Sequence, residues 1–192
     1  MTEAMSIINE FDFNNTQKTI LLNLVDALKV HNLESLSIKD IADLSDISER
    51  TVFRNFHHRE GLIDALAQVV VRLLDSPPTP VCIDMLLDYP KALFACFEKN
   101  IDFTQAALQP EIVHRIRGTL AAKRWQEIEK LIHRSYPGRS KSVKKMVAAN
   151  IRFLLSASTW HYYRFILELS AQMTVQAVTM SVCSQLEILA DS

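Results

Sequence analysis

Apolar residues recur three and four positions apart along most of this chain, the spacing that gives an α-helix one buried face. Leu21, Leu24, Val25 and Leu28 mark a helix from Thr16 to His31, closed by Asn32 in the left-handed backbone that Asn tolerates. Ile38, Ile41 and Ala42 give a second, short helix an apolar face. Ser37 is placed to cap it, with Asp40 at the reciprocal position of a capping box. Ser45, Asp46 and Ile47 supply a turn, Asp46 in a left-handed conformation. Ser48 then caps a third helix, whose Val52 and Phe56 lie four apart and can pack back onto Ile41 and Ile47. A longer helix follows from Arg59 to Leu74, carried by Leu62, Leu66, Val69, Val70 and Leu73.

Three prolines between Asp75 and Pro80 mark a boundary, because no helix runs through them. Beyond it the pattern predicts helices over Val81–Asp88 and Pro90–Ile101, with Pro90 at a first helical position. Others are expected from Pro110 to near Gly118, over Thr119–Ser135, over Ser142–Leu169 and over Ala171–Leu189, with a break at Tyr136–Ser140. Residues 1–15 are polar apart from isolated apolar residues such as Phe11 and Phe13, and read as a flexible lead-in.

Composition agrees with an all-α chain: 48% of the 192 residues are hydrophobic and only three are glycine. Cys82, Cys96 and Cys183 are odd in number and lack paired spacing, so they read as small buried hydrophobes of a reducing compartment. The acidic Glu3 and Glu10 do not suit a secretion signal. Arg152, His161 and Arg164 interrupt the most apolar region, Met146–Leu169, which argues for a buried or interface helix over a membrane span. A soluble cytoplasmic protein is the expectation.

The stretch Ser37–Phe56 has the form of a helix-turn-helix: two capped helices whose outer face offers Glu49, Arg50, Thr51, Arg54 and Asn55 to base edges and phosphates. Together with its flanks it resembles the DNA-binding signature of the TetR family of bacterial transcription regulators. The residues that carry the likeness are Ile20-Leu21, Ser37, Ile41-Ala42, Ile47-Ser48, Thr51-Val52-Phe53, Phe56, Arg59-Glu60 and Leu62, within Ile20–Leu66. Asn32 and Asp46 stand where the family usually has Gly. Phe53 stands where it often has Tyr, which removes a phenolic contact to phosphate, and Arg59 replaces the usual Lys.

The resemblance implies an N-terminal three-helix DNA-binding domain over 16–58, a connecting helix and Pro-rich boundary over 59–79, and a C-terminal helical ligand-binding and dimerisation domain over 80–192. It implies a homodimer through the two C-terminal helices, bound to a palindromic operator and acting as a repressor released by a small apolar effector. The alternative is a TetR-like protein whose C-terminal domain engages a protein partner with no inducer. The residues expected at DNA are Ser37, Ser48, Glu49, Arg50, Thr51, Phe53, Arg54, Asn55 and Arg59. Arg50 suits guanine, Thr51 a phosphate or a thymine methyl, and Arg54 and Arg59 phosphates. Glu49 either accepts from cytosine or steadies the helix dipole, and both readings stay open.

Phe94, Phe97, Phe103, Trp125, Phe153 and Trp160, with His161 and Arg164, are either core or the lining of an effector cavity. The basic run Arg139, Lys141, Lys144 and Lys145 reads as a solvated, mobile loop or as an attractor of acidic partners.

Net charge is −1, so no basic coat makes this a general nucleic-acid binder. Residues 1–75 hold seven Lys/Arg against twelve Asp/Glu, and that acidic setting should suppress non-specific binding while a few placed arginines serve a specific site. His57 and His58 are adjacent and cannot both face one ion from a helix, and no catalytic or phosphate-cradling motif is present. No catalytic residue, cofactor or metal is expected.

Overall fold

The computed structural model describes residues 3–116 and 122–190, and every regular element among them is helical. Two compact units arise. The first joins Met1–Asp75 with Asn100–Gly118, and the second joins Ser76–Lys99 with Thr119–Ser192.

In the first unit, α1 (Glu3–Ile8) is followed by α2 (Asn15–Ala27), α3 (Ile38–Leu44), α4 (Glu49–Phe56) and α5 (Arg59–Leu74). The lead-in therefore is not flexible. Ala4, Ile7 and Ile8 of α1 are buried against α2 and α5, and Phe11 stacks on Phe13 at 5.3 Å. Ala4, Ile7 and Ile8 do stand at helical spacing, but with no cap signal or long period around them the stretch reads as a tail. The expected helices at 37–56 and 59–74 form where the pattern puts them, with Ile41, Ala42, Val52 and Phe56 buried between α2 and α5. Full burial of a Val or Phe side chain contributes about 1.5–3 kcal/mol, so these four hold the short helices that propensity alone would not. Asn32 departs from expectation. Helix α2 ends at Ala27, and Asn32 is extended (φ −77°, ψ 135°), leading a single 3₁₀ turn at Leu33–Ser35.

Two helices from the middle of the chain complete this unit: α7 (Ile101–Ala106) and α8 (Pro110–Ile116) pack on α5. Ala106 and Ile112 are buried in the same core as Leu62 and Leu66. The sequence reading assigns everything after residue 80 to one regulatory body; by packing, 100–116 instead goes with the N-terminal helices. The end of α8 near Gly118 and the start of the next helix at Thr119 fall outside the described residues.

The second unit comprises α6 (Ile83–Lys99), α9 (Ala122–Ser135), α10 (Lys141–Leu154), α11 (Ala157–His161), a π-helical turn at Tyr162–Ile166 and α12 (Ala171–Ala190). Helix α6 is one element where two were expected. Pro90 lies inside it, so Leu86 forgoes one helical hydrogen bond, and the buried face of Tyr89, Pro90, Leu93, Phe94 and Phe97 offsets the loss. The opposite correction applies to the long helix expected over Ser142–Leu169. It stops at Leu154, and Ser156, extended, restarts the chain by accepting from the Thr159 amide at 3.1 Å.

Cys82 is exposed and so is not a core hydrophobe, while Cys96 and Cys183 are half-buried. The basic run is not a loose loop either. Arg139 Nε donates to the Leu189 carbonyl at 2.6 Å, and Lys144 is buried on α10. No helix among the described residues is long and apolar enough to cross a membrane.

Candidate nucleic-acid interface

The α3–turn–α4 element is built from its caps inward. The Ser37 hydroxyl accepts from the Asp40 amide at 3.1 Å, and Asp40 Oδ2 accepts from the Ser37 amide at 2.8 Å and from its hydroxyl at 2.6 Å. These bonds from Ser37 hold the Asp40 carboxyl below its usual value, because they stabilise the charged form. The Ile47 amide donates to the Ala42 carbonyl at 3.0 Å, and Asp46 between them has φ 52°. Left-handed backbone suits Asp better than most residues, as the sequence indicated. Ser48 accepts from the Thr51 amide at 3.2 Å and starts α4.

Helix α4 presents two kinds of side chain. Glu49, Arg50, Phe53 and Arg54 are exposed, and among the described residues neither arginine has a hydrogen bond or ion pair. Arg50, Phe53 and Arg54, three and four apart, share one face. Phe53 is 44% exposed, which puts an apolar ring between two cations.

The remaining expected contacts are engaged elsewhere. Thr51 Oγ1 lies 2.9 Å from the Ser48 hydroxyl. Asn55 is half-buried: its Nδ2 donates to the Thr51 carbonyl at 2.8 Å, and its Oδ1 accepts from Asn14 Nδ2 at 3.0 Å. Arg59 is furthest from expectation. Nη1 donates to the Leu36 carbonyl at 2.6 Å, and Nη2 to the Leu33 carbonyl at 2.8 Å and to Glu111 Oε1 at 3.2 Å. This guanidinium clamps the loop between α2 and α3 to α8; it is not a free cation waiting for phosphate.

Sequence reasoning missed four residues that shape this surface. Asn14 caps α2 in a capping box with Gln17, a spacing visible in the letters Asn-Asn-Thr-Gln only once the helix start is known to be one residue earlier.

 The run in full is Asn14, Asn15, Thr16 and Gln17, so the box spans the first turn of α2. His58 caps α5, its Nδ1 accepting from the Gly61 amide at 2.9 Å. Gly61 itself leaves no room for a side chain, since a Cβ there would lie 2.4 Å from the Phe56 carbonyl oxygen. That close approach sets the angle at which α5 leaves α4.

The aromatic residues considered as an effector lining do not form one group. Phe94, Phe97 and Trp160 are buried in the second unit and fill each other's space, with ring centroids 5.9 and 5.7 Å apart. Glu98 accepts from Trp160 Nε1 at 2.8 Å and from Arg164 Nε at 2.5 Å, so Arg164 is part of that packed cluster. The His161 ring lies tilted against that of Phe165 with centroids 5.2 Å apart, Trp125 is half-buried, and Phe153 is 67% exposed. Phe103 belongs to the first unit, where Lys29 Nζ lies 5.8 Å from its ring centroid. Burial raises the Tyr89 phenol above its usual value, and the neutral hydroxyl donates to the Pro77 carbonyl at 3.0 Å.

The exposed ridge on α4 can address a polyanion and base edges through two guanidinium groups, a carboxylate and a ring. Among the described residues no three His, Cys, Asp or Glu side chains group as a metal site. Comparison of the chain with protein-family models and with curated proteins finds no match to either.

Proposed function

We propose that this chain is a sequence-specific DNA-binding transcription regulator of the TetR type, working as a homodimer. One observation carries the reading: a doubly capped two-helix wedge leaves Arg50, Phe53 and Arg54 exposed on one face of α4, with both arginines unengaged among the described residues. Other arginines of this unit are held by carboxylates, as Arg72 is by Glu10 at 2.9 Å and Arg115 by Asp64 at 2.5 Å. Here they are kept clear.

In this reading α4 lies in the major groove, Arg50 pairs with guanine, Arg54 holds a phosphate, and Phe53 meets the methyl of thymine. Two copies place their α4 helices roughly 34–36 Å apart on successive turns of a palindromic site. The apolar side chains exposed on the last helices, Met173, Met180 and Ile188 of α12 with Met146 and Phe153 of α10, supply an apolar surface suited to pairing with a second copy. Repression is relieved when an effector favours the form whose reading helices are wrongly spaced.

The packed cluster Phe94–Phe97–Trp160 favours a second reading of the regulatory step, in which a protein partner rather than a small apolar molecule sets the equilibrium. Selection of bound fragments from a random duplex pool tests the function directly. A palindromic consensus is the expected result; failure to enrich any sequence at low ionic strength overturns the proposal.

A further inference from the structure

We infer that Asn14, Gln17 and Asn55 form an amide lock that fixes the rotation of α4 about its own axis, so that Asn14 and Gln17 are positioning residues and Asn55 is not a base reader. The inference rests on the DNA-reading proposal for α4 and goes beyond it.

Three primary amides meet where the start of α2 faces the end of α4, and their donors and acceptors interlock in one orientation. Asn14 Oδ1 accepts from the Gln17 amide at 2.9 Å, and Gln17 Oε1 accepts from the Asn14 amide at 3.0 Å. That pair satisfies the first turn of α2 and leaves one NH₂ group on each side chain. Asn14 Nδ2 donates a hydrogen bond to Asn55 Oδ1 at 3.0 Å, and Gln17 Nε2 donates one to the Asn55 backbone carbonyl at 2.9 Å. Asn55 Nδ2 in turn donates to the Thr51 carbonyl one turn back along α4, at 2.8 Å. Flipping any one amide would set donor against donor or acceptor against acceptor.

The placement explains why amides serve here and an apolar contact would not. Val52 and Phe56 hold α4 down, but hydrophobic burial has no direction and leaves rotation about the helix axis soft. Hydrogen bonds weaken steeply off line. Ser48 and the Asp46 turn already pin the start of α4, and the lock pins its far end, at Asn55. A rotation of α4 carries Arg50 and Phe53 sideways across the bases, whereas Arg54, on a long flexible side chain, can still reach a phosphate, which any sequence offers. Sequence discrimination is therefore more sensitive to the lock than attraction to DNA in general.

Two substitutions cut the lock and spare the α2 cap. Asn14→Ser keeps a capping oxygen and loses the donor to Asn55; Gln17→Glu keeps the acceptor and loses the donor to the Asn55 carbonyl. Affinities of the full chain are measured for a duplex recovered by random-pool selection and for a shuffled duplex of the same composition. The ratio of the two is expected to fall about threefold to tenfold in each variant, the range of one hydrogen bond, with a melting temperature lower by about the few degrees that one such bond is worth. An unchanged ratio in both, with Asn55→Ser alone losing discrimination, would make Asn55 a direct reader and overturn the lock. A lowered melting temperature with an unchanged ratio would reduce the amides to a stabilising cap and overturn it equally. Hydrogen exchange over Thr51–His57 reads the lock without DNA: faster exchange in both variants is expected, and unchanged rates reject it. If the unmodified chain selects no duplex while exchange still responds, the DNA reading fails and the mechanical link stands.

Discussion

Arg59 Nη1 lies 2.6 Å from the Leu36 carbonyl oxygen, so the first side chain of α5 grips the residue just before the cap of α3. A cation at this point of the sequence looks like a phosphate contact, and its geometry makes it a clamp. Arg59→Ala is therefore expected to cost roughly 1.5–3 kcal/mol of stability, the scale of hydrogen bonds made by a charged group. The salt dependence of DNA binding should keep its slope. Urea unfolding and salt-titrated binding curves check the two halves separately, and a shallower slope with intact stability would return Arg59 to the phosphate backbone.

Arg54 is the contrasting case, exposed and unengaged among the described residues. Arg54→Ala is expected to weaken binding to selected and shuffled duplexes alike and to flatten the salt slope by about one. Arg50→Ala should instead cost about 1–3 kcal/mol at one base pair of the selected site. Binding to single-base variants of that site distinguishes the two arginines.

Gly61→Ala puts a methyl group 2.4 Å from the Phe56 carbonyl oxygen. Backbone, not a flexible side chain, must give way. A loss of roughly 1–3 kcal/mol is expected, as for other overpacked sites, together with weaker discrimination because the junction of α4 and α5 has to open. Thermal melting and the specificity ratio report these, and a fully stable variant would show that the junction yields freely.

The Asp40 carboxyl, lowered by its bonds from Ser37, makes the helix-turn-helix sensitive to acid. A carboxyl with a depressed folded-state value contributes stability above the unfolded value and loses it as pH falls through the folded one. Asp40→Asn should thus be less stable than the unmodified chain at pH 7, and the gap should close as pH falls below the ordinary 3.8. Melting temperatures of both proteins across that range check the sign; a gap constant with pH would exclude the carboxylate as its source.

The parts legible in the sequence were those that a local rule decides. Ser37 with Asp40, Ser48, and Asp46 at φ 52° follow from chemistry within four residues, and the structure places all of them as read. The apolar period likewise located α5 and α12 to within a residue. What stayed hidden depends on partners distant in sequence. Nothing near Arg59 announces Glu111 or the Leu33 carbonyl, and nothing near Asn55 announces Asn14. Pro90 looked like a helix start because local propensity favours that, and burial of its neighbours overrode it. Ser156 falls inside the apolar run that predicts one helix over Ser142–Leu169, although it caps a new one. An aromatic-rich stretch also could not say whether its rings enclose space or fill it; Phe97 against Trp160 at 5.7 Å fills it.

The discontinuity of the first unit bears on how the chain is made. Residues 1–75 contain every side chain proposed to face DNA, yet Ala106 and Ile112, buried against α5, arrive only after α6 has been synthesised. A nascent chain that has released α5 still shows an uncovered apolar stripe and an Arg59 without Glu111. Translation must pass residue 112 before that half can settle, so a gene fragment ending at the proline-rich boundary should yield an insoluble or protease-sensitive product. Fusion designs that borrow only the first 75 codons would inherit the same defect.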